Sequence, residues 1–89
     1  MTEITTGIAV TVRFFAAARD AAGVDTRMLT LPAGATVADA IGELCGHSVE
    51  IALVLQKCSY LCDGIAVRDR STVLHVGQTL DVLPPFAGG

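Results

Sequence analysis

Charge is scarce in this chain: 17% of its 89 residues are Asp, Glu, Lys or Arg, and the formal net charge is −3. Its six basic residues, Arg13, Arg19, Arg27, Lys57, Arg68 and Arg70, are scattered. They form no dense patch that could neutralise a phosphate backbone, so nucleic acid is not an expected partner. Long apolar runs are missing as well. No stretch has the length needed to cross a bilayer, and the opening MTEITTGIAV lacks the positively charged segment of a signal peptide. The expected setting is soluble and cytoplasmic, away from membranes. Cysteine is limited to Cys45, Cys58 and Cys62, an odd number with no C-x-x-C spacing. That removes both a disulfide framework and a zinc ribbon, and it suits a reducing compartment. A phosphate-binding G-x-x-x-x-G-K motif is absent, and GELCGHS is no substitute for one.

What is present is apolar material, 52% of the residues, enough for a core but in a chain short enough for only one domain. Ile8 to Phe15, IAVTVRFF, alternates with period two: Ile8, Val10, Val12 and Phe14 on one face, Ala9, Thr11, Arg13 and Phe15 on the other. This is a half-buried strand. AAARDAAG follows, alanine-rich and closed by Gly23, a short helical turn ended by a left-handed glycine. Thr26 to Leu31 reads as a second strand stopped by Pro32. In PAGATVADAIGELCG, Thr36 caps a helix with Asp39 near the positive end of its dipole; Val37, Ala40, Ile41 and Leu44 form the apolar stripe and Gly46 ends it. Val49 to Lys57, behind a Ser48 cap, reads as a further helix with Leu53 and Val54 inward, although VEIALVLQK also fits a strand. SYLCDGIAV carries two short apolar runs around Asp63-Gly64, the dipeptide of a type I′ hairpin turn. TLDVL, Thr79 to Leu83, is the last strand, with Leu80 and Val82 on one face and Asp81 and Leu83 on the other. The order fits an α+β roll, a mixed sheet with a helix packed across one face. By analogy with known rolls, the first and last strands are central neighbours.

After that strand comes LPPFAGG. Pro84 and Pro85 cannot donate to a neighbouring strand, so the sheet must release the chain there. Phe86 offers one anchoring side chain, Ala87 is small, and Gly88 and Gly89 have none. Extended, Pro84 to Gly89 reaches about 20 Å at roughly 3.3 Å per residue, thin enough for a narrow channel in another protein. The useful group is then the carboxylate of Gly89, which is unreactive until it is activated, most simply as an acyl-adenylate made with ATP by a separate enzyme. A single Gly-Gly is a weak signal, since termini commonly fray. Joined to Pro-Pro directly after an apolar strand, it is considerably more specific.

Other constellations carry less. Cys45-Gly46-His47, with Cys58, Cys62 and His75, invites a metal reading, but Cys45 ends a helix stripe and Cys62 alternates within a strand, positions that suit structural cysteines. No metal site is expected. His47 and His75 sit beside turn glycines with no triad around them, and Asp69 and Asp81 make no carboxylate pair. Face parity places Phe15 and Leu83 together opposite the core, an apolar patch beside the tail root if their strands are adjacent.

FFAAARDAAG, TLPAGATVADAI, DGIAV and DVLPPFAGG together resemble the MoaD-like small subunits of molybdopterin synthase, a branch of the MoaD/ThiS ubiquitin-like sulfur carriers. The likeness runs from Val10 onward; Met1 to Gly7 has no assigned counterpart. It implies a β-grasp domain over residues 1–83 and an extended, flexible Gly-Gly tail over 84–89. It further implies that Gly89 is adenylated by a MoeB-like adenylyltransferase, which consumes ATP, and is then converted to a thiocarboxylate by a sulfur donor protein. Pro84, Pro85, Phe86, Ala87 and Gly88 would enter the active site of a MoaE-like large subunit, in a heterotetramer. There two such sulfurs make the dithiolene of molybdopterin from cyclic pyranopterin monophosphate. The chain would bind no cofactor and catalyse nothing alone. The Phe15–Leu83 patch read from face parity, together with Arg19, which matches the family's arginine and is available to a partner carboxylate, is the expected partner interface; the alternatives are that Phe15 packs under the AAARDAAG turn and that Arg19 is a merely solvated side chain. Asp63-Gly64 stands where the family often has Asn-Gly, and Phe86 where it often has a smaller aliphatic residue. The tail motif is shared with carriers serving thiazole or cysteine synthesis, and FFAAARDAAG favours molybdopterin. A module of another class, whose tail only docks, is the remaining alternative.

Overall fold

The computed structural model describes residues 7–85. Five strands form one mixed sheet in the order β2-β1-β5-β3-β4. They are β1 (Gly7–Phe14), β2 (Thr26–Pro32), β3 (Ser59–Cys62), β4 (Ile65–Ala66) and β5 (Thr79–Leu83), with helices α1 (Ala16–Ala22), α2 (Val37–Cys45) and α3 (Val49–Leu55) between them. β1 runs antiparallel to β2 and parallel to β5, while β3 runs antiparallel to β5 and β4. The first and last strands are therefore neighbours inside the sheet, as the sequence order suggested. This is the β-grasp, ubiquitin-like fold.

Alternation in β1 and β5 decides which face is covered. Val10, Val12, Phe14, Leu80 and Val82 are buried together with Ala18, Val37, Ala40, Leu44, Ile51 and Leu55 of the helices. Each such branched or aromatic side chain contributes roughly 1.5–3 kcal/mol by leaving water. The helices are started and stopped by local chemistry. Thr36 and Asp39 form a reciprocal capping box: the Asp39 N–H donates to Thr36 Oγ1 (3.2 Å), and the Thr36 N–H donates to Asp39 Oδ2 (2.9 Å). Two further N–H groups at the start of α2, on Val37 and Ala38, donate to the Thr72 and Arg70 carbonyls, so the irregular segment before β5 closes this helix end. Ser48 Oγ accepts from the Ile51 N–H at 3.1 Å and starts α3. α1 ends on Gly23 at φ +79°, whose N–H donates to the Arg19 carbonyl at 2.8 Å. At the β3-β4 turn, Asp63 (φ +49°) and Gly64 (φ +82°) both take the left-handed region that a type I′ turn demands.

Two expectations are corrected. Phe15 does not continue β1 but serves as the N-cap of α1, because Ala16 turns the backbone to φ +51°. In α3 the inward residues are Ile51 and Leu55, with Val54 half-buried, whereas Leu53 is 58% exposed. The helical period explains this. Residues 51 and 55 are one turn apart on the face that meets the sheet, and Leu53 lies two positions from each, on the far side.

Candidate functional site

The tail root sits at the end of β5, the middle strand of the sheet. Leu83, its last residue, is half-buried and pairs with Ser59 of β3. Pro84 and Pro85 follow outside any strand, half-buried and exposed respectively. Having no N–H, neither can extend the ladder, which fixes the point at which the chain leaves the sheet. Phe86, Ala87, Gly88 and Gly89, the remaining tail residues expected to act, lie outside the described residues.

On the open face of the sheet the structure brings Phe15 close to this root. The Phe15 N–H donates to the Val82 carbonyl at 3.3 Å, one residue before Leu83, and the ring is 38% exposed. Beside it lies an ion pair that face parity alone had not joined. Arg13 and Asp81 face one another across β1 and β5, with Arg13 Nε donating to Asp81 Oδ1 at 2.7 Å and Nη2 to Oδ2 at 3.0 Å. The two ends differ in environment: the arginine side chain is 52% exposed and the aspartate 9%. The hydrogen bond to Asp81, then its charge, raise the guanidinium above its ordinary pKa. The same guanidinium carbon lies 5.5 Å from the centre of the Phe15 ring, a cation–π contact that holds the ring over the strand pair. Opposite charges at matching parity on two strands expected to be adjacent were the signal for this pair.

Arg19 borders that cluster, lining with Arg13, Phe15 and Asp25 an open pocket of about 320 Å³. Its guanidinium lies 3.6 Å from the Asp25 carboxylate, both side chains largely in water, a geometry that contributes little stability and leaves the arginine accessible.

The side of the root that faces the helices is different again. Ala17, Leu53, Val54, Lys57, Pro84 and Pro85 line a shallow, mostly apolar groove of about 260 Å³. Nothing in the described part resembles a catalytic centre. Among the described residues no three His, Cys, Asp or Glu side chains converge. Cys58 is buried, its thiol donates to the Val54 carbonyl at 3.2 Å, and burial raises its pKa. Burial, with Asp63 adding its charge, raises that of Cys62. Both are structural thiols rather than nucleophiles. His47 and His75 are exposed. Among the described residues no helix is long and apolar enough to cross a membrane.

The chemistry this arrangement offers is thus that of a presented chain end. Solved structures that the fold matches include the HVO 2177 protein of Haloferax volcanii, with 25% identity, a TM-score of 0.85 and coverage of 100% of this chain and 93% of that one. A Pyrococcus furiosus protein assigned as molybdopterin converting factor, subunit 1, matches at 28% identity and a TM-score of 0.81, over 89% of this chain and 99% of that one. SAMP1 of Haloferax volcanii matches at 25% identity and a TM-score of 0.80, over 91% and 99%. No curated protein sequence gives a significant match. The model of the ThiS family matches residues 12–89, from the middle of β1 through the Gly-Gly tail. With its β-grasp sheet, its tail rooted on the middle strand and that match across almost its full length, the chain belongs to the ThiS family of ubiquitin-like sulfur carriers.

Proposed function

We propose that this carrier is the small subunit of a molybdopterin synthase and that Gly89, as the last residue of the mature chain, holds the transferred sulfur as a thiocarboxylate. The observation that carries the reading is the tail root: Pro84-Pro85 placed directly after the middle strand, whose Val82 carbonyl accepts from the N–H of the partly exposed Phe15. Such a root cannot extend its own sheet, and on this reading the slender chain end after it is offered to a partner. The likeness to the Pyrococcus molybdopterin converting factor subunit, together with FFAAARDAAG, favours the molybdopterin pathway over thiazole or cysteine synthesis.

In the proposed cycle an adenylyltransferase joins the Gly89 carboxylate to AMP from ATP, releasing pyrophosphate. The persulfide of a donor protein then displaces AMP, a C–S bond forming as the acyl C–O bond breaks, and a second thiol cleaves the S–S bond of the resulting acyl disulfide, becoming oxidised to a disulfide and leaving Gly89 as the thiocarboxylate. A large subunit receives the thiocarboxylate, and water restores the carboxylate once the sulfur has passed to the pyranopterin. Every reacting group other than Gly89 belongs to a partner. Phe15, Leu83 and the Arg13–Asp81 pair serve as the platform on which those partners orient the tail.

Intact mass before and after incubation with the adenylyltransferase, ATP and a sulfur donor tests the reading. Replacement of oxygen by sulfur adds about 16 Da, and covalent activation of this kind leaves the rest of the chain unchanged. One residue appended after Gly89 abolishes the gain while leaving the fold intact, since the reactive carbon becomes an internal amide. A chain that gains no mass with a demonstrably active enzyme is a docking module instead. Conversion of cyclic pyranopterin monophosphate by the loaded carrier and the large subunit separates the molybdopterin pathway from the other two.

A further inference from the structure

The two edges of the sheet are unlike. β4, at one end, has only two residues, Ile65 and Ala66, too few to template another strand. β2, at the other, has seven, Thr26–Pro32, and pairs only with β1 among the described residues. The hydrogen-bond phase of β2 follows from that of β1. The Ala9 carbonyl accepts from the Gly77 N–H, and the Thr11 and Phe15 N–H groups donate to the Gln78 and Val82 carbonyls, so these odd-numbered positions bond toward β5 and the turn before it. Phe14, one position out of step, donates its N–H to the Asp25 carbonyl instead. In the antiparallel register, Asp25, Arg27, Leu29 and Leu31 therefore bond to β1, and Thr26, Met28 and Thr30 turn both N–H and C=O outward. All three are exposed, Met28 at 60%. The usual guards of an edge are missing from this strand: it has no lysine and no bulge, and its one proline, Pro32, stands at its last position.

From this placement we infer that β2 is a self-association edge: a second copy of this chain adds its own β2 antiparallel, making one continuous sheet with a two-fold axis at Met28. Register identifies the occupant. The outward residues read Thr-Met-Thr, the same in both directions, so a two-fold at Met28 sets Met28 against Met28 and Thr26 against Thr30 of the other copy. Each pair exchanges two hydrogen bonds, and every outward N–H and C=O of the three residues is used. Threonine pairs hydrogen-bond across strands, and the two methionines bury one another's apolar surface. Neighbouring registers are worse. Centring on Arg27 opposes two guanidinium groups, and centring on Leu29 or Thr30 sets Pro32, which has no N–H, against the carbonyl of Thr26 or Met28. Thr11 Oγ1 donates to Met28 Sδ at 3.1 Å, which ties the axial side chain to β1. A ladder this short makes a weak, reversible dimer. It leaves β5 and Pro84-Pro85 two strands from the axis, so the inference stands independently of the tail reading.

The test uses the full-length chain with a reductant present, so that its cysteines do not crosslink copies. Sedimentation equilibrium between about 10 µM and about 1 mM resolves a monomer–dimer equilibrium, as an interface of this size gives. Amide proton shifts of the wild-type chain over the same range supply a readout without mutation: Thr26, Met28 and Thr30 each gain an acceptor and move downfield, while Arg27, Leu29 and Leu31, already bonded to β1, stay in place. Met28→Lys and Met28→Glu each set like charges against one another on the axis and weaken the dimer about tenfold or more. An equimolar mixture of the two associates to within about threefold of wild type, because the mixed pair opposes unlike charges. Ile65→Lys, at an exposed residue of the other edge, leaves the dimer unchanged. Circular dichroism confirms that the variants fold. A wild-type chain that sediments as a monomer throughout overturns the inference. Shifts without the alternation, Met28 variants that dimerise as wild type, a mixture that stays monomeric, or equal loss in Ile65→Lys overturn it too, since each places the contact elsewhere.

Discussion

The Arg13–Asp81 pair predicts an unequal response to mutation at its two ends. Asp81 is the buried partner, its side chain 9% exposed, and both of its oxygens are satisfied by Arg13 at 2.7 and 3.0 Å. Arg13 keeps 52% of its side chain in water. The substitution Arg13→Met leaves the desolvated Asp81 carboxylate without a partner. Orphaning a fully buried charge costs about 3–5 kcal/mol; with some solvent still reaching the carboxylate the expected cost is about 2–4 kcal/mol. The substitution Asp81→Asn leaves an arginine that water can serve, and the amide oxygen still accepts one hydrogen bond. That change costs about 0.5–1 kcal/mol, in the range of partly exposed pairs. Combining Arg13→Met with Asp81→Leu removes donor and acceptor together and recovers most of the loss. For a domain of this size, whose total stability is about 4–13 kcal/mol, the Arg13→Met variant loses a large share of it. Urea unfolding of the wild-type chain and these three variants measures the differences, with unchanged slopes confirming that only stability has moved. Equal costs at the two ends, or a larger one for Asp81→Asn, would refute the reasoning, because the carboxylate would then not be the desolvated partner.

Two further outcomes follow from the hairpin side of the sheet. Tyr60 is buried, donates its hydroxyl to the Leu55 carbonyl at 3.0 Å, and has its pKa pushed up to about 12, mainly by burial and then by Cys58. Folding thus favours the neutral phenol. The stabilisation is complete below the unfolded value near 10 and is lost as pH rises through about 12, a decline of about 1–2 kcal/mol after allowance for solvent. Cys58 and Cys62, also raised, add to it in the same direction. As the chain has one tyrosine, phenolate absorbance reports on Tyr60 alone, and ionisation near pH 10 in the folded protein would contradict the burial. Gly64→Ala isolates backbone conformation: φ is +82° and an added Cβ meets nothing within 4 Å. The cost is therefore that of the left-handed region itself, about 1–2 kcal/mol, read as a lowered thermal midpoint; an unchanged midpoint would mean that the turn relaxes to another type.

The parts of this fold that the sequence made legible are those in which a local rule and the global packing agree. Alternation in IAVTVRFF shows which residues are buried because β1 has one covered face and one open face; in TLDVL it identifies Leu80 and Val82, but Asp81 on the other face is buried as well, paired with Arg13. Asp63-Gly64 specified its turn because few residue pairs tolerate positive φ at both positions. Thr36 and Ser48 marked helix starts because their hydroxyls accept orphan N–H groups. Failure came where apolar residues outnumber the places available to bury them. In VEIALVL five of seven residues are branched and apolar, so hydrophobicity no longer defines the phase of the helix, and Leu53 was assigned to the core. The phase is set instead by what lies beneath, namely the sheet that receives Ile51 and Leu55. Arg13 and Asp81 escaped for the complementary reason: parity assigns each to a face, but only the register of β1 against β5 sets them opposite one another. Both omissions fall beside the tail root, and neither belongs to the apolar packing of the core. On the proposed reading, a carrier whose chemistry is performed by other proteins uses such features for recognition, and recognition is what periodicity within a single chain cannot display. Its imprint is residual: an exposed leucine on a well-packed helix, and a desolvated ion pair on the open face of a sheet.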